Sequence, residues 1–125
     1  MKRILLVEDD KFLLGALKAK FSGPDYEVRT APNGEEGMKV LREFAPDVIL
    51  LDLVMPKMDG FAMLEMIKGD TKLKNIPVVV SSNLGQSEDV SRAKALGASD
   101  YIIKTNMSLA DLKKRVDHFI TPGSV

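Results

Sequence analysis

The sequence predicts an α/β domain organised on a parallel, doubly wound sheet of five strands. Three observations carry that expectation. Apolar runs at 4–7, 48–51 and 78–80 have no polar break, the pattern of strands buried on both faces. Segments of helical periodicity lie between the runs and are joined to them by short connections, which makes successive strands parallel. Most of the strands also end abruptly on a charged or hydroxyl residue, and a parallel sheet brings all such ends to one rim.

Taken in order, Ile4 to Val7 form the first strand, closed by Glu8-Asp9-Asp10. A helix follows over 11–22, with Asp10 as its cap and a lesser candidate for the metal, Leu14, Leu17 and Phe21 at helical spacing, and Gly23-Pro24 as its stop. Residues 27–31 alternate polar and apolar, which suits a half-exposed strand near an edge. Asn33 caps a second helix over 34–44 that turns Gly37, Val40, Leu41 and Phe44 inward. The central strand, 48–51, runs out of the core onto Asp52, with Pro56 close behind. Asp59 caps a third helix over 60–68; Leu64 and Ile67 point inward, and Met63 and Met66 read as flexible core fillers. The fourth strand, 78–82, ends on two serines. The helix over 86–96 has a thin apolar stripe (Val90, Ala93, Leu96) and stops at Gly97. The fifth strand is 101–104. The last helix opens on Ser108-Leu109-Ala110-Asp111, close to a capping box, and buries Leu109, Leu112, Val116 and Phe119. The domain is expected over 1–121, with 122–125 a short tail.

At 125 residues this is one domain with room for a substantial core. Lys plus Arg and Asp plus Glu both number 18, which removes any global field drawing the chain to nucleic acid. The absence of cysteine excludes disulfides and thiolate metal sites. No apolar run reaches the length of a membrane span, and Met1-Lys2-Arg3 passes straight into the first strand, so a cytoplasmic protein without a leader is expected. His118, the only histidine, reads as a surface residue. Lys113-Lys114-Arg115 reads as a solvated helix face beside Asp111 and Asp117.

The chemistry gathers at the rim, where Glu8, Asp9, Asp52, Ser82 and Lys104 should meet. Neighbouring carboxylates repel and take up protons unless a cation neutralises them. Oxygen donors without His or Cys favour a hard divalent ion such as Mg²⁺, which keeps waters and accepts phosphate oxygens. Lys104 adds a positive charge and Ser82 a hydroxyl donor. That set suits phosphoryl transfer, in which catalysis is mostly positioning and charge neutralisation. Asp52 is itself a competent nucleophile, forming an acyl phosphate.

These residues carry a resemblance. Ile4-Leu5-Leu6-Val7-Glu8-Asp9-Asp10, Leu51-Asp52-Leu53-Val54-Met55-Pro56-Lys57-Met58-Asp59-Gly60, Ile76-Pro77-Val78-Val79-Val80-Ser81-Ser82 and Gly97-Ala98-Ser99-Asp100-Tyr101-Ile102-Ile103-Lys104 occur in the order and spacing of two-component response-regulator receiver domains. The chain resembles that family over nearly its whole length. The resemblance implies a flavodoxin-like strand order, 2-1-3-4-5. It implies that Asp52 accepts a phosphoryl group from a histidine kinase or histidine phosphotransfer protein. Asp9 is then the direct Mg²⁺ ligand, Glu8 acts beside it through water, and the Val54 backbone carbonyl completes the protein's share of the metal shell. Ser82 corresponds to the hydroxyl that turns toward the phosphoryl group; Ser81 is its rival, and the interval from Pro77 selects Ser82. Lys104 corresponds to the lysine on the phosphoryl oxygens. Tyr101 matches the aromatic whose rotamer couples the site to the surface of the fourth helix, fifth strand and fifth helix. The implied protein is a phosphorylation-dependent switch that catalyses only its own phosphorylation and dephosphorylation. Its output is a partner protein, a domain elsewhere in a longer chain, or a dimer formed through that surface; direct binding of nucleic acid or membrane by this chain is not expected.

Three features depart from the family pattern. Thr105, not proline, follows Lys104, and a cis bond there would cost about 2.5–4 kcal/mol. Asn83 stands where a small residue is usual and is expected to alter transfer and hydrolysis rates. Val54 and Leu84 flank the site with apolar side chains that position no water, so slow self-hydrolysis is expected. Two other functions of the fold fit less well. A Mg²⁺-dependent phosphohydrolase generally has a second Asp two residues after its nucleophile, and here that position is Val54. A nucleotide or flavin module wants a Gly- or hydroxyl-rich loop after the first strand, where Glu8-Asp9-Asp10 would repel phosphate.

Overall fold

Unbroken apolar strands can bury both faces only inside a layered sheet, and in the computed structural model of this protein they do. The structure describes residues 1–55, 58–83 and 86–120. Strands β1 (Lys2–Val7), β2 (Tyr26–Ala31), β3 (Val48–Leu51), β4 (Val78–Ser82) and β5 (Asp100–Ile103) alternate with helices α1 (Lys11–Lys20), α2 (Gly34–Leu41), α3 (Gly60–Gly69), α4 (Ser87–Ala95) and α5 (Leu109–His118). Every strand pair is parallel, and the order is β2-β1-β3-β4-β5. The expected sheet and its strand order both hold. The 122–125 tail, Pro56 and Leu84 lie outside the described residues. Among the described residues, no helix is long and apolar enough to cross a membrane.

Alternation along the strands divides the core into two layers. Leu5, Val7, Ile49, Leu51, Val78 and Val80 pack on the side of α2, α3 and α4, whereas Ile4, Leu6, Val48, Leu50, Val79 and Ile102 pack on the side of α1 and α5. Helices α1, α2, α3 and α5 each begin where a short polar side chain takes up free N–H groups. Asp10 accepts from Phe12 and Leu13, Asn33 from Glu36, Asp59 from Ala62 and Ser108 from Asp111. Such caps are worth about 1 kcal/mol each. The fourth helix lacks one, since no side-chain bond caps it at Gln86, and Ala93 is its sole fully buried residue.

Two side-chain expectations are corrected. Met63 is fully buried, but Met66 is 48% exposed. At 3.6 residues per turn it lies about 100° round the helix from Ile67, on the solvent side. The basic stretch of α5 is also more than a solvated face. Lys113 Nζ donates to Asp117 Oδ2 at 2.7 Å and to the Tyr26 hydroxyl at 2.9 Å. Arg115 grips both oxygens of Asp100, with Nε 2.6 Å from Oδ2 and Nη2 2.5 Å from Oδ1. Asp100 Oδ1 in turn accepts the Tyr101 N–H at 2.8 Å. Only Lys114 of the three basic residues is exposed.

The junction between β3 and α3 is closed by Gly60. Its N–H donates to the Leu53 carbonyl at 2.9 Å. A Cβ there would lie 2.3 Å from the Asp52 carbonyl oxygen and 2.5 Å from Leu53 Cα, both backbone atoms. Gly60→Ala is therefore expected to destabilise the protein by about 1–3 kcal/mol, the range for overpacked sites. Gly69→Ala, with nothing within 4 Å of the added carbon, should be near neutral. Urea unfolding of both variants checks this; equal midpoints would show that the close approach at Gly60 has no energetic weight.

Candidate functional site

The sheet's hydrogen-bond ladder continues just past the strand ends and so fixes the rim residues. Glu8 N–H donates to the Ala31 carbonyl and Asp52 N–H to the Val7 carbonyl, both at 3.0 Å. Alternation then turns Glu8 inward, 4% exposed, and Asp9 out to solvent. Asp52 is 5% exposed, and Ser82, the last residue of β4, is fully buried. By the same alternation Ser82 shares the face of Val80, and Ser81 that of Val79. Lys104 opens a 3₁₀ turn, Lys104–Asn106, one residue beyond β5 and not inside the expected strand. The Lys104–Thr105 bond is trans.

Glu8, Asp9, Asp10, Asp52, Val54, Ser82, Asn83 and Lys104 together line a cleft of about 380 Å³. Lys104 Nζ lies 2.5 Å from Glu8 Oε1 and 3.5 Å from Asp52 Oδ1. The other Glu8 oxygen accepts the Asp10 N–H at 3.1 Å, and Asp52 Oδ1 accepts the Val54 N–H at 3.4 Å. One carboxylate oxygen each from Glu8, Asp9 and Asp52 falls within 4.8 Å of the others. Burial pushes the Glu8 carboxyl up from an ordinary 4.5 to about 7; the Lys104 hydrogen bond opposes that rise and the Asp52 charge adds to it. Two nearly buried acids beside a third are an unfavourable set for the protein alone. Hard oxygen donors in this arrangement fit a divalent cation of the Mg²⁺ type.

The Ser82 hydroxyl also connects the cleft to the interior. It hydrogen-bonds the Tyr101 hydroxyl, and burial raises the Tyr101 pKa against that bond. Tyr101 is 9% exposed, packed in the core layer below α4. Val54, at the mouth, is 59% exposed, and Asn83 is exposed beside it. His118 is exposed on α5, edge-on to Phe119 at 5.2 Å, and is not among the cleft residues.

Two residues at the start of α1 bear on the rim. Asp10 lines the cleft as well as capping α1. Phe12 is 92% exposed in the first turn of α1. The sequence did hold a signal for it: Phe12 falls off the Leu14–Leu17–Phe21 stripe, so a large apolar side chain was left facing water.

Comparison with known proteins agrees with this fold. Residues 4–117 match the response regulator receiver domain family. The chain is similar to RpaA of Synechocystis, a DNA-binding dual master transcriptional regulator, at 34% identity over 83% of this chain and 43% of that one. It spans less than half the length of the curated relatives it matches. Among solved structures it resembles the phosphorylated cyanobacterial phytochrome response regulator RcpA, with a TM-score of 0.83 and 36% identity over 96% of this chain and 91% of that one. It also resembles TrrA of Thermotoga maritima in complex with Mg²⁺ and BeF, with a TM-score of 0.81 and 29% identity over 95% of this chain and 99% of that one.

The raised Glu8 pKa makes a prediction about stability. Between pH 4.5 and about 7 the folded chain binds a proton at Glu8 that the unfolded chain does not. Its contribution is therefore complete below pH 4.5 and is lost as pH rises through 7, on the order of 3 kcal/mol in all. With a chelator present, the stability of Glu8→Gln measured by urea unfolding should gain on the wild type by that order from pH 5 to pH 8. A gap that stays constant across this range would mean that Glu8 is not the titrating group.

Proposed function

This chain belongs to the response regulator receiver domain family, and from that premise we propose that it is a phosphorylation-controlled switch whose phosphoacceptor is Asp52. One observation carries the reading: a nearly buried aspartate at the end of the central strand, within 3.5 Å of a lysine and clustered with Glu8 and Asp9. The donor is the phosphohistidine of a histidine kinase or histidine phosphotransfer protein. An Asp52 carboxylate oxygen forms the new P–O bond as the P–N bond breaks, and the leaving imidazole keeps the electron pair and takes up a proton. The product is an acyl phosphate.

A divalent cation, Mg²⁺ in this reading, held by Glu8, Asp9, Asp52 and the Val54 carbonyl, would neutralise the charge that accumulates between the carboxylates and the phosphoryl oxygens. Lys104 places its ammonium on a phosphoryl oxygen. Ser82 turns its hydroxyl to another and so leaves Tyr101, whose hydroxyl it bonds in this structure. The phosphoryl group thereby acts on two alternative packings of Tyr101, and it biases them because it contacts Ser82 in one and not in the other. The readout is the surface of α4, β5 and α5. The weak anchoring of α4, through Ala93 alone among its fully buried residues, suits an element that shifts. The unit is residues 1–121, acting in the cytoplasm on an output partner or on another part of a longer chain. Its own chemistry is limited to gaining and losing the phosphoryl group. Asn83 and the apolar Val54 at the mouth tune the rate of loss, with no side chain at 54 able to orient an attacking water.

Intact mass after incubation with acetyl phosphate tests the core of this reading. One phosphoryl group should be added in the presence of Mg²⁺, none with chelator, and none in Asp52→Ala. An adduct that persists in Asp52→Ala would place the chemistry elsewhere. A second expectation concerns the protein donor. Val54 of the cleft and Phe12, two residues along the chain from the cleft residue Asp10, offer exposed apolar surface, and aromatic anchors carry a disproportionate share of docking energy. Phe12→Ala should slow transfer from the phosphorylated donor protein roughly tenfold, equivalent to about 1.4 kcal/mol, and leave acetyl phosphate labelling unchanged. Equal rates with the protein donor would remove Phe12 from the docking surface.

A further inference from the structure

Helices α3 and α4 lie on the same face of the sheet and are held to it very differently. Phe61, Met63, Leu64 and Ile67 of α3 are all buried. Its first residue, Gly60, donates to the Leu53 carbonyl at 2.9 Å, one residue past Asp52. The start of α3 is thus tied to the strand end that carries the phosphoacceptor. By contrast, α4 has no side-chain cap and one fully buried residue, Ala93. A single stack reaches from it to α3: the Arg92 guanidinium lies over the Phe61 ring, 4.0 Å from its centre. Arg92 is one position, about 100° of helical rotation, from Ala93, so it leaves the buried line of α4 and reaches sideways onto the first turn of α3. It stays exposed to water, as the charged head of a long side chain can while its stem packs.

We propose that the Arg92–Phe61 stack is a latch that holds α4 in its resting position against α3 and so sets how much of the chain has switched before any phosphoryl group arrives. The proposal rests on the phosphoacceptor reading given above and assigns to it two positioning residues, neither of which touches the cleft. The attraction of a guanidinium for a ring face fades beyond about 6 Å, so a shift of α4 away from α3 by about 2 Å would break it. Phe61, 8% exposed and packed in the core, stays where it is. A contact made in the resting arrangement and lost in the shifted one opposes switching by its full strength. It follows that weakening the latch enlarges the switched fraction and tightens, by the same factor, whatever binds that fraction best.

The test is the affinity for beryllium fluoride, a phosphoryl mimic that binds a carboxylate oxygen, at saturating Mg²⁺. It compares wild type, Arg92→Met, Phe61→Leu and the double variant. Methionine keeps an unbranched stem on α4, and leucine keeps the core position apolar. Arg92→Met should tighten binding roughly threefold, equivalent to about 0.7 kcal/mol and the size of a partly exposed contact of this kind. In the Phe61→Leu background it should add nothing. Loss of a positive charge alone weakens the binding of an anion, so Lys94→Met, two residues along α4, should not tighten it. A stack with a purely structural role would lower the urea midpoint and leave the affinity unchanged, and that result would overturn the proposal. Equal tightening with and without the Phe61 ring would overturn it too. Hydrogen exchange covers the case in which Phe61→Leu does not fold. The α4 amides of Arg92→Met should exchange about threefold faster than in the wild type, with those of α3 unchanged; no change in α4 would mean that the stack does not hold the helix. If the wild type binds no beryllium fluoride, the phosphoacceptor reading falls instead, and the exchange rates still decide whether the latch exists.

Discussion

Glu8 and Asp52 carry their carboxylates into a rim that water barely reaches, and like charges so placed repel strongly in a medium less polarisable than water. The fold answers with one lysine. Lys104 stands 2.5 Å from the first acid and 3.5 Å from the second, and Glu8 still titrates near neutrality. The site is thus held in a state that a proton, an ammonium or a divalent ion can each relieve. Sensitivity to added charge is built into the ground state of the molecule.

The apolar framework makes this arrangement affordable. Interior strands with both faces covered fix the rim residues through backbone hydrogen bonds, so the acids cannot simply move apart. Glu8 and Asp52 are each pinned by an N–H bonded to a neighbouring strand. The close approach of Gly60 to the Asp52 carbonyl fixes the strand-to-helix junction from the other side. Ser82 and Tyr101 then carry the rim's hydrogen bonding into the core, where Tyr101 packs beneath α4.

Much of this was legible in the sequence because it is local. The β3 run that stops on Asp52 announces both a buried strand and where it leaves the core. Asp10, Asn33, Asp59 and Ser108 are cap residues placed just before helical periodicity, and each makes the bond its type predicts. The choice of Ser82 over Ser81 rested on the interval from Pro77 that the family resemblance implies; the period of a strand only put the two on opposite faces. What could not be read is what depends on contacts remote in sequence. The partner of Lys104 is 96 residues away, and that of Lys113 is 87 away at Tyr26. Arg115 looked solvated because the stretch around it alternates in charge, yet its partner Asp100 stands in β5. Met66 was misread for a different reason: methionine suits core and surface alike, so composition outweighed helical phase.

The grip of Arg115 on Asp100 has a consequence outside signalling. β5 is an outer strand of the sheet, and outer strands offer unpaired backbone groups to any extended chain that meets them. Here the Tyr101 N–H is already taken by the Asp100 carboxylate, and that carboxylate is fastened by a guanidinium. The opposite border, β2, carries Glu27 between Arg3 and Arg29, a charged fringe of the kind that discourages strand addition. Both borders of the sheet thus carry charged groups that discourage the addition of a further strand.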